Sequence, residues 1–273
     1  PLAGSLLHRA LELFWEERIS SALSAENGPE RIRELLDNWD SAAPQISITE
    51  GNLEPAMSRF GKIADSVVRE NSDEFPDTGF LDDFLSTLCS AGRKYLEDIA
   101  SCRDDFVPAM TEVSRSADIG DITVHGKADR IDVSQSGLLR LVDYKLGKSP
   151  KNSDIRKKSV IQLPLYCSMF RHLGDVAAGV YWGGFGKRVP SDGGRFERED
   201  HFLRRKKRRT IPSEEWDSAL EEYEIIAEEL ADSVSTGRFP PLPANGCPFW
   251  CEMGNICRYD EHRPAPPGED EDD

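Results

Sequence analysis

Two short stretches decide the fold of this chain: GKADRID at residues 126–132 and LVDYKLG at residues 141–147. Each contains the β-branched and apolar residues that are typical of a strand. Residues 134–137, which read SQSG, lie between them and favour a turn. The pattern predicts two antiparallel strands joined by a tight connection, so that carboxylates from both strands lie side by side.

The alternation of side chains along these strands predicts a cluster of charged groups. Asp143 and Lys145 share one face of the second strand, Tyr144 lies on the other, and the neighbouring strand brings Asp129 towards Asp143. Two adjacent carboxylates repel unless a cation lies between them, and a hard ion such as Mg2+ prefers oxygen ligands. A lysine beside the ion can orient an attacking water or stabilise developing phosphorane charge. These residue types are the ones that phosphodiester hydrolysis needs, but exposed Asp and Lys pairs at a sheet edge are the commoner explanation of such a pattern taken alone.

The elements predicted around this hairpin give a mixed α/β domain. Amphipathic periodicity predicts helices over residues 2–19, 30–39, 53–69, 79–102, 160–172 and 212–235. Short β-branched runs predict strands over residues 106–114, 122–133, 138–146 and 175–184, and a strand-like fragment at residues 45–48. The expected architecture is a mixed central sheet flanked by helices, with a helical N-terminal insertion.

The length of 273 residues favours one large domain over two small ones. Its parts are a helical region over about 1–103, a catalytic sheet core over about 104–190, and a C-terminal helix with a cysteine segment over about 211–262. Proline and acidic residues dominate residues 263–273, which are expected to form a disordered, solvated tail. The chain opens at Pro1 inside a helical pattern, which suggests a piece of a longer protein.

Composition excludes several classes of protein. The formal net charge of −16, from 34 Lys and Arg against 50 Asp and Glu, is opposite in sign to that of a purely electrostatic DNA-binding module. The sequence lacks an apolar run of about 18 residues and a basic segment followed by an apolar one, so we expect no membrane partner, no secretion and a cytoplasmic location. Any contact with nucleic acid then depends on metal ions or on a local basic patch.

The two central stretches belong to a series of motifs that resembles the PD-(D/E)XK nuclease superfamily, and in particular its RecB-like branch. That branch has Gly-x-x-Asp-Arg-Ile-Asp, a hairpin, Asp-Tyr-Lys-x-Gly, and a helix with Gln-Leu-x-Leu-Tyr. This chain has the three motifs at residues 126–132, 143–147 and 162–166. A Gly-x-x-x-His helix at residues 4–8 and a strand at residues 108–112 precede them in the order of the family. The resemblance covers nearly the whole chain.

The resemblance implies a role for each matching residue. The implied catalytic set is His8, Glu112, Asp129, Asp143, Lys145, Gln162 and Tyr166. The implied ligands of Mg2+ or Mn2+ are His8, Asp129, Asp143 and the backbone carbonyl of Tyr144. Lys145 is the implied catalytic lysine and Glu112 a supporting carboxylate.

Two further pairs of residues are placed by spacing. Gln162 and Tyr166 lie four residues apart, so they share one helical face, which the resemblance places against the active site and DNA. Arg130 and Asp132 alternate away from Asp129 and are expected to be structural. Ordinary polarity of an amphipathic helix is the alternative for the first pair.

A C-terminal group of cysteines indicates a metal or cluster site. Cys247, Cys251 and Cys257 lie within eleven positions, a spacing that suits ligands better than disulfides. The group resembles the iron-sulfur subtype of the branch, including the AddB type, although its first spacing is one residue longer. The resemblance implies a 4Fe-4S cluster in the complete protein, with a fourth cysteine upstream of this chain. Zinc and an unligated cysteine group are the alternatives.

The basic run at residues 204–209 is the local patch that the acidic chain offers to DNA. Its members are Arg204, Arg205, Lys206, Lys207, Arg208 and Arg209. Such a run contacts phosphates without reading sequence, or forms a solvated loop.

The resemblance implies a Mg2+-dependent deoxyribonuclease of an AddB-type helicase-nuclease in double-strand break repair. Single-stranded DNA ends, fed by a helicase motor in the same polypeptide or in a partner subunit, are the expected substrate. Two alternatives stay open at this point. One is a catalytically inactive nuclease-fold module for DNA binding or subunit scaffolding, and the other is a stand-alone nuclease of the CRISPR-adaptation type.

Overall fold

A computed structural model describes residues 2–26, 28–102, 104–145, 149–183, 194–201 and 210–238. In these residues the central sheet has five strands in the order β1-β2-β3-β4-β5. Their bounds are β1 Val107–Ile119, β2 Ile122–Val133, β3 Leu138–Lys145, β4 Asp175–Gly183 and β5 Arg195–Glu197. The first three strands form an antiparallel meander, β4 runs parallel to β3, and β5 is antiparallel to β4.

Helices pack on both faces of this sheet. The first five are α1 Leu2–Ala22, α2 Gly28–Asp37, α3 Trp39–Ile46, α4 Leu53–Glu70 and α5 Thr78–Ser101. The others are α6 Asn152–Arg156, α7 Gln162–Met169 and α8 Trp216–Ser235. The Arg130 guanidinium meets Trp15 of α1 on one face, whereas Gly179 lies close to Leu163 of α7 on the other. The predicted fold class, a mixed sheet flanked by helices with an N-terminal helical part, is confirmed.

The strand-like fragment predicted at residues 45–48 is wrong, because α3 continues to Ile46. Arg18 of α1 explains the difference. Its guanidinium donates hydrogen bonds to the carbonyls of Gln45, Ile46 and Ser47 at 2.6–3.0 Å. The last carbonyls of a helix have no partner within the helix, so a distant arginine stabilises the helical ending.

Further differences concern the bounds and the number of the elements. β1 extends to Ile119, beyond its predicted end at residue 114, because it pairs with β2 as far as Ile122. The helix predicted over residues 160–172 ends at Met169 and is followed by a short 3-10 turn. The three-residue strand β5 was not predicted. Residues 263–273 lie outside the described residues, and the domain boundaries stay predictions.

A buried charge network lies between β2, β3 and the N-terminal helices. Arg130 is 1% exposed and Asp132 is fully buried. Arg130 donates to both Asp132 oxygens, at 2.6 and 2.9 Å, and Arg140 donates to Oδ2 at 2.8 and 3.1 Å. Burial opposes ionisation of Asp132, but the two guanidinium groups outweigh it and hold the pKa of Asp132 below its usual value. Both side chains of the Arg130–Asp132 pair face away from Asp129.

Replacing Asp132 with Asn should strongly destabilise the fold. The change leaves the buried Arg130 guanidinium without a counter-charge, which costs about 3–5 kcal/mol for a buried pair, whereas Arg140 keeps its ion pair with Asp104. Urea unfolding of the variant measures this loss, and Asp73→Asn at an exposed position is the matched control. An equal, small effect of both changes would contradict the role given to the network.

The same network has a defined pH dependence. The pKa of Asp132 is lower in the folded protein than in the unfolded chain. Its ionised carboxylate therefore contributes in full to the free energy of unfolding at pH values above the unfolded pKa of about 3.9. The contribution is lost as pH falls through the folded pKa. We therefore expect the difference in stability between wild type and Asp132→Asn to narrow below about pH 4. Acid titrations followed by circular dichroism measure it.

Candidate active site

The candidate site opens where the ladder between β2 and β3 ends. The two strands pair from Val133 and Leu139 to Arg130 and Val142. One residue further along β2, the Asp129 carboxylate accepts a hydrogen bond from the Tyr144 backbone N–H at 2.6 Å. The Asp129 side chain thus takes the place of a backbone partner for Tyr144 and fixes the end of β3.

His8 reaches this point from α1. Its Nε2 lies 3.1 Å from the Tyr144 carbonyl oxygen, and its Nδ1 lies 3.3 Å from Asp129 Oδ1. The interaction with Asp129 raises the pKa of His8; burial opposes the shift, and the charges of Asp129, Glu112 and Asp143 add to it. The histidine and the carboxylates therefore form one electrostatic unit.

Glu112 of β1 completes this unit with an unusual backbone. Its φ of 52° lies in the left-handed region, which costs a non-glycine residue about 1–3 kcal/mol. Its Oε2 contacts Lys127, while its Oε1 is buried without a hydrogen-bond partner. A buried carboxylate oxygen that lacks a donor is what a bound cation would satisfy.

Ligand atoms of His8, Glu112 and Asp129 all lie within 4.8 Å of one another. One imidazole nitrogen and two carboxylates suit a divalent ion such as Mg2+ or Mn2+, and the orphaned Glu112 oxygen supports that fit. The Tyr144 carbonyl, 3.1 Å from His8 Nε2, is a further oxygen at the same place.

Asp143 and Lys145 form a second unit beside the first. Asp143 is 4% exposed, and its Oδ2 lies 2.6 Å from Lys145 Nζ. Gln162 of α7 donates to Asp143 Oδ1 at 2.7 Å and accepts from Lys145 at 3.3 Å. Burial raises the pKa of Asp143, with Lys145 opposing and Asp129 adding to the shift. The Gln162 amide also donates to the Tyr166 hydroxyl at 3.2 Å.

The structure thus brings together the seven side chains of the implied catalytic set. The residues that form the metal group differ from the ligands that the resemblance implied. Glu112, expected as a supporting carboxylate, lies in the three-residue metal group. Asp143, expected as a ligand, contacts Lys145 and Gln162 and lies outside that group. The individual roles stay predictions.

Sequence reasoning missed Lys127, which pairs with Glu112 at the edge of the metal group. The signal was in the sequence, because Lys127 stands two residues before Asp129 and strand alternation puts both on one face. The predicted iron-sulfur ligands Cys247, Cys251 and Cys257, and the basic run at residues 204–209, lie outside the described residues.

Fold and site together define a class of protein, in which the central hairpin of a mixed sheet carries a lysine beside a His, Glu and Asp group that could hold a metal ion. Residues 1–258 match the family model of the PD-(D/E)XK nuclease superfamily, and the chain belongs to that superfamily. No curated protein shows significant similarity to the sequence. A nuclease fold implies contact with nucleic acid. Among the described helices, none combines the length and apolar character that a bilayer span requires.

Replacing Glu112 with Gln should weaken metal binding about tenfold or more. The change keeps the shape of the side chain but removes the charge that faces the cation. Electron paramagnetic resonance of free Mn2+ measures the affinity, and Glu229→Gln on the exposed side of α8 is the control. Equal Mn2+ affinity of wild type and Glu112→Gln would remove Glu112 from the site.

Proposed function

We propose that the chain is a deoxyribonuclease that hydrolyses DNA phosphodiesters with Mg2+ or Mn2+. The observation that supports this most is the metal group of His8, Glu112 and Asp129, with its orphaned Glu112 oxygen, beside a buried Asp143 and its lysine. The superfamily match supports the nuclease class.

The residues divide the chemistry between them. His8, Glu112 and Asp129 would hold the divalent ion, which supplies Lewis-acid stabilisation of phosphate oxygens and activation of water. Lys145, held by Asp143 Oδ2 and Gln162 Oε1, can orient the attacking water and stabilise developing charge on the phosphate. Gln162 keeps Asp143 and Lys145 together through one amide group.

The narrower context of this nuclease is also a proposal. The order of motifs supports the RecB-like branch and an AddB-type helicase-nuclease subunit, working in the cytoplasm on single-stranded DNA ends in double-strand break repair. The helicase motor would lie in the same polypeptide or in a partner subunit. The basic run at residues 204–209 would then contact DNA phosphates without selecting sequence.

Replacing Lys145 with Ala tests the function directly. We expect Mg2+-dependent degradation of linear single- and double-stranded DNA by the wild type, and a loss of about 100-fold or more in the variant, as for removal of one transition-state donor. EDTA should abolish the activity, whereas Lys158→Ala, which removes an exposed lysine near α8, should not change it. Degradation that persists in Lys145→Ala would point to a contaminant and reject the site.

The cysteine group has a separate test. We propose that Cys247, Cys251 and Cys257 ligate a 4Fe-4S cluster in the complete protein, supported by their spacing. Iron and acid-labile sulfide, measured in anaerobically purified full-length protein, should fall when the three residues are replaced by Ser. Zinc in place of iron would contradict the cluster and favour the alternative metal.

A further inference from the structure

Tyr181 of β4 lies beside the lysine of the candidate site, although it belongs to none of the motifs that predicted the site. The parallel ladder between β3 and β4 pairs Tyr181 with Asp143. Side chains alternate between the two faces of a sheet, so Tyr181 shares the face of Asp143 and Lys145. Tyr181 is 3% exposed, so its hydroxyl needs a partner within the protein.

The ring of Tyr181 contacts the ammonium group of Lys145. Lys145 Nζ lies over the ring, 5.3 Å from its centroid. This distance is within the range of about 6 Å over which the face of an aromatic ring attracts a cation. The same Nζ contacts the Asp143 carboxylate at 2.6 Å and Gln162 Oε1 at 3.3 Å. An ammonium group has three N–H donors, so these two oxygens leave one donor for a water molecule or a phosphate oxygen.

The hydroxyl of Tyr181 holds the amide of Gln162. It donates to Gln162 Oε1 at 3.4 Å, and the same oxygen accepts from Lys145. The amide nitrogen donates to Asp143 Oδ1 and to the Tyr166 hydroxyl. Both acceptor positions of the oxygen and both protons of the nitrogen are therefore used. Rotation of the amide by half a turn would place its oxygen against the Asp143 carboxylate.

The backbone keeps the Tyr181 ring in a fixed place. On one side of Tyr181 lies the ladder with β3, and on the other its N–H donates to the Gly194 carbonyl at 3.0 Å. Packing alone explains an apolar side chain at this position, but it needs neither a hydroxyl nor a cation over the ring. Both polar contacts of the side chain are made with residues of the candidate site, Lys145 and Gln162.

We infer that Tyr181 is a positioning residue for Lys145. Its ring limits the places that the ammonium group can occupy, and its hydroxyl holds the Gln162 oxygen that binds the same group. Misplacement of a reacting arrangement by about 1 Å can cost about 100-fold in rate, so a support beside Asp143 and Gln162 affects the chemistry. The inference rests on the proposed nuclease function and adds to it a residue of β4.

Two substitutions separate the ring from the hydroxyl. Tyr181→Phe keeps the ring and removes the donor to Gln162, whereas Tyr181→Leu removes both. We expect kcat for Mg2+-dependent DNA cleavage to fall about tenfold or more in Tyr181→Leu and by a smaller factor in Tyr181→Phe. KM should stay unchanged in both variants, because the buried side chain offers no surface to DNA.

Tyr223 of α8 provides matched controls. It is 5% exposed, and its hydroxyl donates to the Ile155 carbonyl at 2.8 Å, outside the candidate site. Tyr223→Phe and Tyr223→Leu should lower the free energy of unfolding as the changes at Tyr181 do, but leave kcat at the wild-type value. Urea unfolding shows which variants are folded. If the two Leu variants do not fold, the two Phe variants decide: equal kcat in both would overturn the inference.

Coupling to Lys145 is the decisive kinetic readout. A positioning residue acts through the group that it holds, so Tyr181→Leu should not lower the residual activity of Lys145→Ala any further. A general effect on the fold would instead lower the activity of both backgrounds by the same factor. Equal factors in wild type and in Lys145→Ala would therefore overturn the inference.

The contact between ring and lysine has a readout that needs neither metal nor cleavage. In protein labelled with carbon-13 at the lysine Cε, the Lys145 signal is the one that disappears in Lys145→Ala. Protons over the face of an aromatic ring are shifted upfield, so the ε-methylene signal of Lys145 should move downfield in Tyr181→Leu and stay near its place in Tyr181→Phe. A signal that does not move in Tyr181→Leu would overturn the inference.

The nuclease function is scored separately, by Mg2+-dependent cleavage and its loss in Lys145→Ala. Cleavage by the wild type that Tyr181→Leu retains in full would overturn the positioning role and leave the function standing. Absence of cleavage by the wild type would reject the function and the positioning role together.

Discussion

The site depends on the burial of one guanidinium group. A buried, unpaired charge is very costly, so Arg130 is stable at 1% exposure because Asp132 binds it through two hydrogen bonds. Arg130 also donates to the Tyr144 hydroxyl at 3.2 Å. The Tyr144 ring is thereby fixed on one face of β3, while its backbone N–H and C=O contact Asp129 and His8. The charge pair thus fixes the strand end that carries the chemistry.

The N-terminal helices complete the enclosure of this charge. Trp15 of α1 and Tyr95 of α5 lie against the Arg130 guanidinium, together with Trp182 of β4. The Tyr95 hydroxyl accepts from the Trp15 indole at 3.2 Å and lies 2.9 Å from the Tyr144 hydroxyl. The helical part, for which the sequence offered no motif beyond His8, is therefore part of the support of the site.

The features that could be predicted from the sequence are those that depend on residues close to one another along the chain. Alternation in two strands was enough to bring Asp129 to the end of β3, since the side-chain period of a strand is fixed. The position of Glu112 depends on a left-handed backbone at 52°, for which a glutamate gives no local signal. The helical ending of α3 depends on Arg18, which lies 27 to 29 positions away. A three-residue strand such as β5 is too short to show a period.

The split orientation of Tyr144 has a consequence for mapping the site by substitution. Its backbone lies among the carboxylates, but its ring lies among the aromatic residues behind the sheet. A screen that scores only activity would therefore rank positions 95, 130 and 144 with the metal-group residues, although the Arg130 and Tyr144 side chains lie on the face opposite Asp129. Replacing the amide before Tyr144 by an ester would remove the donor to Asp129 and leave every side chain intact. Chemical synthesis of the backbone, rather than a codon library, can separate these two contributions of one residue.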